Sequence, residues 1–235
     1  MRIADLRVEY QKNPIGMDIL RPRFSWKLET EKQNTIQAGY QIQVVSEEKM
    51  IWDSGCQKSE QSVLVEYGGL PLQAESRYEY HVRVWDNHGE EASADGCFET
   101  GLLAGVNFQA KWITHPFAED ETACPVFMKT VSLKKPVRQA RIYATALGVY
   151  EVRINGKKAG DTFFAPGWTN YKKRLQYQTY DVTELMEQVS VLEITVGNGW
   201  YKGIFSFTCT PNHYGDRVAV FAELHVTYED GTKEV

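Results

Sequence analysis

Cysteine is scarce in this chain: Cys56, Cys97, Cys124 and Cys209 are the only four, widely scattered, and none forms a Cys-x-x-Cys pair. A structural zinc site draws on such pairs, so zinc is not expected. In a reducing compartment the four thiols would serve as small, buried or half-buried hydrophobes. Long apolar runs are missing too. No segment has membrane-spanning length, and the opening MRIADLRVEYQK has no signal-peptide core. The expectation is a soluble, cytoplasmic chain with no membrane partner. A positive excess is also lacking. The net charge of -5 leaves no basic surplus to displace counterions from phosphates, which excludes a nucleic-acid partner. The tightest basic cluster beyond the first residues, Lys172-Lys173-Arg174, reads as a solvated turn. Nucleophile motifs are absent: there is no Gly-x-Ser-x-Gly elbow. Gly197, Gly199 and Gly203 have the wrong spacing for a dinucleotide loop, and no helix pattern follows them.

Strand signals fill the chain instead. The first hundred residues show strands near Ile3–Tyr10, Arg23–Leu28, Ala38–Ser46, Ser62–Val65, Arg77–Trp85 and Ala94–Thr100, with Trp52-Asp53-Ser54-Gly55 as a turn or short edge strand. Tyr78 to Val84 alternates cleanly, which places one face in a core and the other towards solvent. About seven short strands between turn signals predict an immunoglobulin-like sandwich. The approach Leu70-Pro71 to Tyr78, with Trp26 on an earlier strand, resembles a fibronectin type III domain, with Tyr78 as a corner tyrosine bonded back to the preceding loop.

Gly101 to Gln109 reads as a junction, and Phe117 to Pro125 as a polar loop. Strands follow near Val126–Leu133, Gln139–Ala146, Val149–Ile154, Leu175–Tyr180, Val191–Val196 and Ala219–Tyr228, then a turn at Glu229 to Thr232 and the start of another strand. This pattern predicts a jelly roll. The fold class is therefore all-β: two consecutive β-sandwich domains, 1–102 and 103–235, the second incomplete at its C-terminal end. Asn155-Gly156 between apolar runs predicts a tight hairpin.

The loops of the second half carry the candidate chemistry. Trp168, Tyr171, Trp200, Tyr201 and Tyr214 sit in or beside loops, and Asn170 and Asn198 stand among them. An aromatic ring stacks on the C–H face of a sugar while amides take its hydroxyls. The competing reading makes these rings lids of a sandwich core. The carboxylates have structural explanations. Asp181 reads as the N-cap of a helical turn, with Glu184 as its capping-box partner, and Asp161 follows Gly160 at a turn.

The order Asn155-Gly156-Lys157 … Ala165-Pro166-Gly167-Trp168-Thr169 … Tyr177-Gln178-Thr179-Tyr180-Asp181-Val182-Thr183 … Gly197-Asn198-Gly199-Trp200-Tyr201 resembles the amino-terminal module of bacterial α-L-rhamnosidases, glycoside hydrolase family 78. The opening stretch, with Asn13-Pro14-Ile15-Gly16-Met17-Asp18 and Arg21-Pro22-Arg23-Phe24-Ser25-Trp26, supports the same likeness. The resemblance implies a parent enzyme that hydrolyses terminal α-L-rhamnosides by inversion. Its catalytic acids would lie in a downstream (α/α)₆ barrel of the same polypeptide, so no residue here is a catalytic candidate. It implies a rhamnose-containing glycoside as ligand, with Trp168, Asn170, Tyr171, Asn198, Trp200 and Tyr201 as candidate sugar contacts. It also implies calcium in some such modules, for which Asp161, Asn170 and Asn198, with Asp216, are conceivable ligands. No Asp-x-Asp-x-Asp-Gly loop is present. The alternative is a pair of scaffold domains that touch no sugar.

Overall fold

The computed structural model describes every residue except 104–107, 117, 119–122 and 205–206. Parts of the expected junction and of the expected Phe117 to Pro125 loop thus lie outside the described residues. The chain divides into two compact units, Met1–Val106 and Asn107–Val235. Among the described residues, each strand pairs only within its own unit.

Among its described residues the first unit holds nine strands: β1 (Arg2–Ile3), β2 (Arg7–Val8), β3 (Arg23–Ser25), β4 (Leu28–Glu29), β5 (Gln37–Ser46), β6 (Lys49–Asp53), β7 (Val65–Glu66), β8 (Arg77–Asp86) and β9 (Glu91–Glu99). They form a four-stranded sheet β6-β5-β8-β9, a three-stranded sheet β2-β3-β7 and the pair β1-β4. The alternation read in β8 has the expected effect: Tyr78, Tyr80, Val82 and Val84 are buried against Phe24, Trp26 and Phe98. Two polar groups inside this core are hydrogen-bonded, while the buried Tyr80 hydroxyl has no partner among the described residues. The Trp26 indole N–H donates to Gln37 Oε1 at 2.8 Å. The Tyr78 hydroxyl accepts from the Gln73 N–H at 2.8 Å, the corner bond expected of it. Two expected strands are divided. The stretch Ile3–Tyr10 breaks at residues 4–6 into β1 and β2, and β2 stops at Val8 because Glu9 and Tyr10 take positive φ and turn the chain; Arg23–Leu28 divides into β3 and β4.

The second unit holds β10 (Ile113–Thr114), β11 (Val126–Ser132), β12 (Val137–Leu147), β13 (Val149–Ile154), β14 (Lys157–Lys158), β15 (Gln178–Asp181), β16 (Val189–Gly197), β17 (Ala219–Tyr228) and β18 (Lys233–Glu234). One sheet runs β11-β16-β13-β14; the other runs β10-β17-β12-β15, with β18 also on β17. Between them Ala140, Ile142, Ala144 and Ala146 of β12 face Tyr150, Val152, Ile154, Ile194 and Val196. The small alanines leave room for the Tyr150 phenol, whose oxygen lies 2.7 Å from both the Ala144 carbonyl and Gln178 Oε1. Asn155 and Gly156 form the β13–β14 hairpin tip with φ of 51° and 76°, as that turn requires.

The other face of β12 is buried as well, which the sequence reading did not anticipate. Phe108 and Tyr177 pack edge-on at 5.8 Å, Phe108 meets Phe221 at 4.8 Å, and Tyr143 meets Tyr177 at 6.0 Å. Buried Glu223 accepts from the Gln109 and Ala110 N–H groups and lies 2.9 Å from His225 Nε2. This layer explains a correction. The expected strand Leu175–Tyr180 begins only at Gln178. Thr145 Oγ1 donates to the Gln176 carbonyl at 2.6 Å while Tyr177 lies across the outer face, so both residues are engaged outside a ladder.

A second correction concerns Asp181 and Glu184. The turn Thr183–Leu185 is 3₁₀, its cap position is Val182, and no side chain caps it. Asp181 instead accepts from the Thr183 N–H at 3.0 Å and hydroxyl at 2.7 Å, and pairs with Arg141 at 2.6 Å. The local turn bond and the buried guanidinium together outcompete the cap. The cysteines correct a third expectation: all four are free, but Cys56, Cys124 and Cys209 are exposed and only Cys97 is half-buried. No helix among the described residues is long and apolar enough to cross a membrane.

Candidate functional site: an aromatic platform on three loops

At one end of the second unit the chain turns sharply between β12 and β13 and again after β16. Gly148 has φ of 143°, and a Cβ there would sit 2.4 Å from the Gly197 carbonyl oxygen. Gly199 has φ of 50°, and its Cβ would sit 2.5 Å from Val149 Cγ1. Only glycine allows both close approaches. The second starts α1, Gly199–Lys202, a single helical turn that carries Trp200 and Tyr201. The absence of a helix signal after Gly199 was therefore misleading, though one turn is all that forms.

The second loop leaves β14 and returns to β15. Its Ala165-Pro166 bond is cis, and the Tyr150 N–H donates to the Ala165 carbonyl at 2.8 Å, which ties the loop to β13. Beyond it Asn170 organises a tight turn: its Oδ1 accepts from the Lys172 N–H at 3.2 Å and its carbonyl from Lys173 at 2.8 Å and Arg174 at 2.9 Å. Thr169 Oγ1 donates to the Arg174 carbonyl at 2.5 Å and closes the loop. The third loop supplies Tyr214, whose N–H donates to the Tyr201 carbonyl at 3.2 Å.

These loops bring four rings together. Tyr171 lies 5.4 Å from Tyr201 and 5.0 Å from Tyr214, centre to centre. The Trp168 indole N–H donates to the Tyr214 hydroxyl at 3.3 Å, yet Trp168 remains 56% exposed. Burial raises the phenol pKa of Tyr171, with Tyr214 adding to it, and raises that of Tyr201, with Asp216 adding to it. Both hydroxyls therefore stay protonated and able to donate. Buried His115 has its pKa lowered, first by desolvation and then by the nearby charges of Arg217 and Lys202.

The candidate residues thus separate. Trp168, Tyr171 and Tyr201 belong to one cluster, together with Tyr214, which had been noted only as an aromatic beside a loop. Trp200 stands apart against Phe164 at 6.2 Å. Asn170 spends its side-chain oxygen on its own turn. Asn198 is exposed at the start of α1 and makes no side-chain capping bond there. Two clefts elsewhere, of about 460 Å³ along β8–β9 and about 440 Å³ between β11 and β17, include none of these residues. The aromatic end is a platform, suited to the face of a ring.

Calcium does not fit this end. Among the described residues no group of three or more His, Cys, Asp or Glu side chains is placed to hold a metal. Asp161 and Asp216 are the full charges among the four candidates, the Asn170 oxygen is already an acceptor, and Lys172, Lys173 and Arg174 follow it closely. A dication needs several free oxygens and a negative surrounding.

Residues 135–235 match the family model for the α-L-rhamnosidase N-terminal domain, and residues 3–104 match the model for the Rha78A-like N-terminal immunoglobulin domain. An α-L-rhamnosidase of Formosa agariphila is 34% identical over 94% of this chain. The crystal structure of native α-L-rhamnosidase from Aspergillus terreus superposes with a TM-score of 0.90 at 33% identity over 99% of the chain. That of Streptomyces avermitilis α-L-rhamnosidase complexed with L-rhamnose gives 0.85 at 26% identity. An all-β chain with an immunoglobulin-like unit followed by a two-sheet sandwich is the class these features define. The chain belongs to the α-L-rhamnosidase family, glycoside hydrolase family 78, and carries its two amino-terminal modules. It spans 26% of the Formosa relative, 28% of the Aspergillus structure and 40% of the Streptomyces one.

Proposed function

We propose that this chain is the non-catalytic amino-terminal part of an enzyme that hydrolyses terminal α-L-rhamnosides, and that its aromatic platform contributes to holding the rhamnoside. Hydrolysis itself belongs to an (α/α)₆ barrel elsewhere in the same polypeptide. The observation that carries the reading is the exposed Trp168 face, anchored through Tyr214 and set beside Tyr171 and Tyr201. Rhamnose is a 6-deoxy sugar, so its methyl group and C–H face suit such a surface. The carboxylates support a non-catalytic role. Asp181 is committed to Arg141 and Thr183, whereas a glycosidase needs two carboxyl groups free to flank one bond. Three exposed free thiols fit a cytoplasmic, reducing setting.

A second reading has an observation of its own. Phe163 and Phe164 are 76% and 70% exposed, more apolar surface than one sugar covers, and such a patch suits packing against another module. The test separates the two. Titration of this chain with L-rhamnose should shift the Trp168 indole NMR signal with a dissociation constant between micromolar and millimolar, about -4 to -8 kcal/mol. Trp168→Ala should abolish binding at unchanged stability. No indole shift at tens of millimolar rhamnose leaves the scaffold reading. Release of rhamnose from an aryl α-L-rhamnoside by this chain alone, lost on changing one of its own carboxylates, overturns the non-catalytic assignment.

A further inference from the structure

The platform has a charge that the chain as a whole does not. In a chain of net charge -5, Lys172, Lys173, Arg174, Lys202 and Arg217 lie close in sequence to the rings of the aromatic cluster, as does Asp216. Their placement follows from contacts already described. Lys172 follows Tyr171, and Lys202 follows Tyr201, and those two rings touch.

The triplet is also unspent. Lys172, Lys173 and Arg174 are exposed, and none has a carboxylate partner among the described residues. Some exposed cations of the chain are paired, as Lys32 is with Glu90 and Lys134 with Glu234, and others, such as Lys58 and Lys129, stand singly; Lys172, Lys173 and Arg174 are three in succession. Three adjacent cations held in a fixed turn repel one another, and nothing in the turn offsets that repulsion. The Asn170 bonds nevertheless fix the backbone that presents them beside the Trp168 face. The expected solvated turn is therefore an ordered run of three exposed cations, without a carboxylate partner among the described residues, next in sequence to the aromatic platform.

We propose that this end selects an anionic rhamnoside, one in which the sugar next to the rhamnose carries a carboxylate or sulfate. The rhamnose lies on the aromatic face and the acidic neighbour meets the Lys172–Arg174 turn. The inference rests on the platform reading above and adds the chemical class of the ligand.

The test compares a rhamnosyl-glucuronic acid disaccharide with a rhamnosyl-glucose disaccharide, titrated into this chain while the Trp168 indole signal is followed. At 20 mM salt the acidic disaccharide should bind about 5-fold or more tightly, because each exposed charge contact contributes modestly and salt screens it. The advantage should fall below about 2-fold at 300 mM salt. It should also fall in the triple variant K172Q/K173Q/R174Q, with neutral-disaccharide binding unchanged. Since all three side chains are exposed, the variant's melting curve should match the wild type, and Lys172→Glu should give an intermediate loss. Equal affinity for the two disaccharides, or an advantage that survives the triple variant, overturns the inference and leaves the platform reading standing. No shift with either disaccharide or with rhamnose overturns both. In the intact parent enzyme the triplet could instead hold an acidic face of another module. The triple variant would then lower kcat/KM equally for neutral and acidic substrates, which also overturns it.

Discussion

Asn155 offers a quantitative test of how the second unit is built. Its φ of 51° lies in the left-handed region, and three side-chain bonds fix the hairpin tip to neighbouring segments. The side-chain amide donates to the Leu185 carbonyl at 3.1 Å and to Ser190 Oγ at 3.3 Å, and Oδ1 accepts from the Val191 N–H at 2.8 Å. In Asn155→Val a β-branched residue must hold a left-handed conformation, at about 1–2 kcal/mol. The lost hydrogen bonds add about 0.5–1.5 kcal/mol each, discounted because this surface is only partly buried. A total near 3 kcal/mol follows, which lowers the melting temperature of this unit by roughly 10 °C. Asn155→Gly removes the strain but not the lost bonds, and should cost about 1–2 kcal/mol. Asn155→Asp keeps both the tolerated conformation and the acceptor, and should cost least. Calorimetry of the three variants, fitted with separate transitions for the two units, gives the ranking. If Val is no worse than Gly, the backbone argument is wrong; if Asp is as poor as Val, the bond to Val191 contributes nothing.

Two further outcomes are expected. In the first unit Glu9 is nearly buried, and its carboxylate accepts from Arg23 Nε at 2.9 Å, Nη2 at 2.6 Å and the backbone N–H at 2.7 Å. The Arg23 guanidinium is the main reason its pKa is lowered in the fold, outweighing desolvation. A depressed carboxylate stabilises fully above its unfolded pKa of about 4.3 and loses that contribution as pH falls through the folded value. Acid unfolding of the first unit should therefore steepen below about pH 4.3. Glu9→Gln should remove that steepening while costing about 1–2 kcal/mol at pH 7, as urea melts across pH would read; an unaltered acid limb in the variant would refute the assignment. In the second unit Gly199→Ala meets Val149 Cγ1 at 2.5 Å and the Val149 nitrogen at 3.0 Å while φ is positive. It should cost about 1–3 kcal/mol and move Trp200 and Tyr201, visible as lost indole and ring shifts; a wild-type spectrum would show that the turn is not held as described.

The parts of this fold legible in the sequence are those set by local chemistry. Asn155-Gly156 demands positive φ at both positions, and the alternation of Tyr78 to Val84 admits one core face. Each needs only neighbours in the chain. The illegible parts depend on what covers them. Seven successive buried residues, Ala140 to Ala146, carry no alternation in burial, because Phe108, Tyr177 and Phe221 cover the face that would otherwise meet water. Asp181 looked like a helix cap because nothing in its own segment announces Arg141, 40 residues earlier in the chain. The aromatic candidates were half legible: the loops stood out by composition, but only the fold separates Trp200 from Trp168 and sets Tyr214 against Trp168 and Tyr171.

The state of Trp168 bears most directly on the choice between a ligand surface and a scaffold. A ring that closes a sandwich core gains stability by burying its face, and its ordering entropy is offset by that burial. Trp168 donates a hydrogen bond from its edge to Tyr214, and more than half of its surface stays exposed. Holding an indole in one place costs rotamer freedom. That cost is recovered when something flat and apolar lies on the face, because a surface already fixed by Tyr214 and Tyr171 need not be ordered at the moment of binding. The same reasoning applies to the turn that Asn170 holds. Both arrangements are in place before any ligand arrives, and the two share one loop.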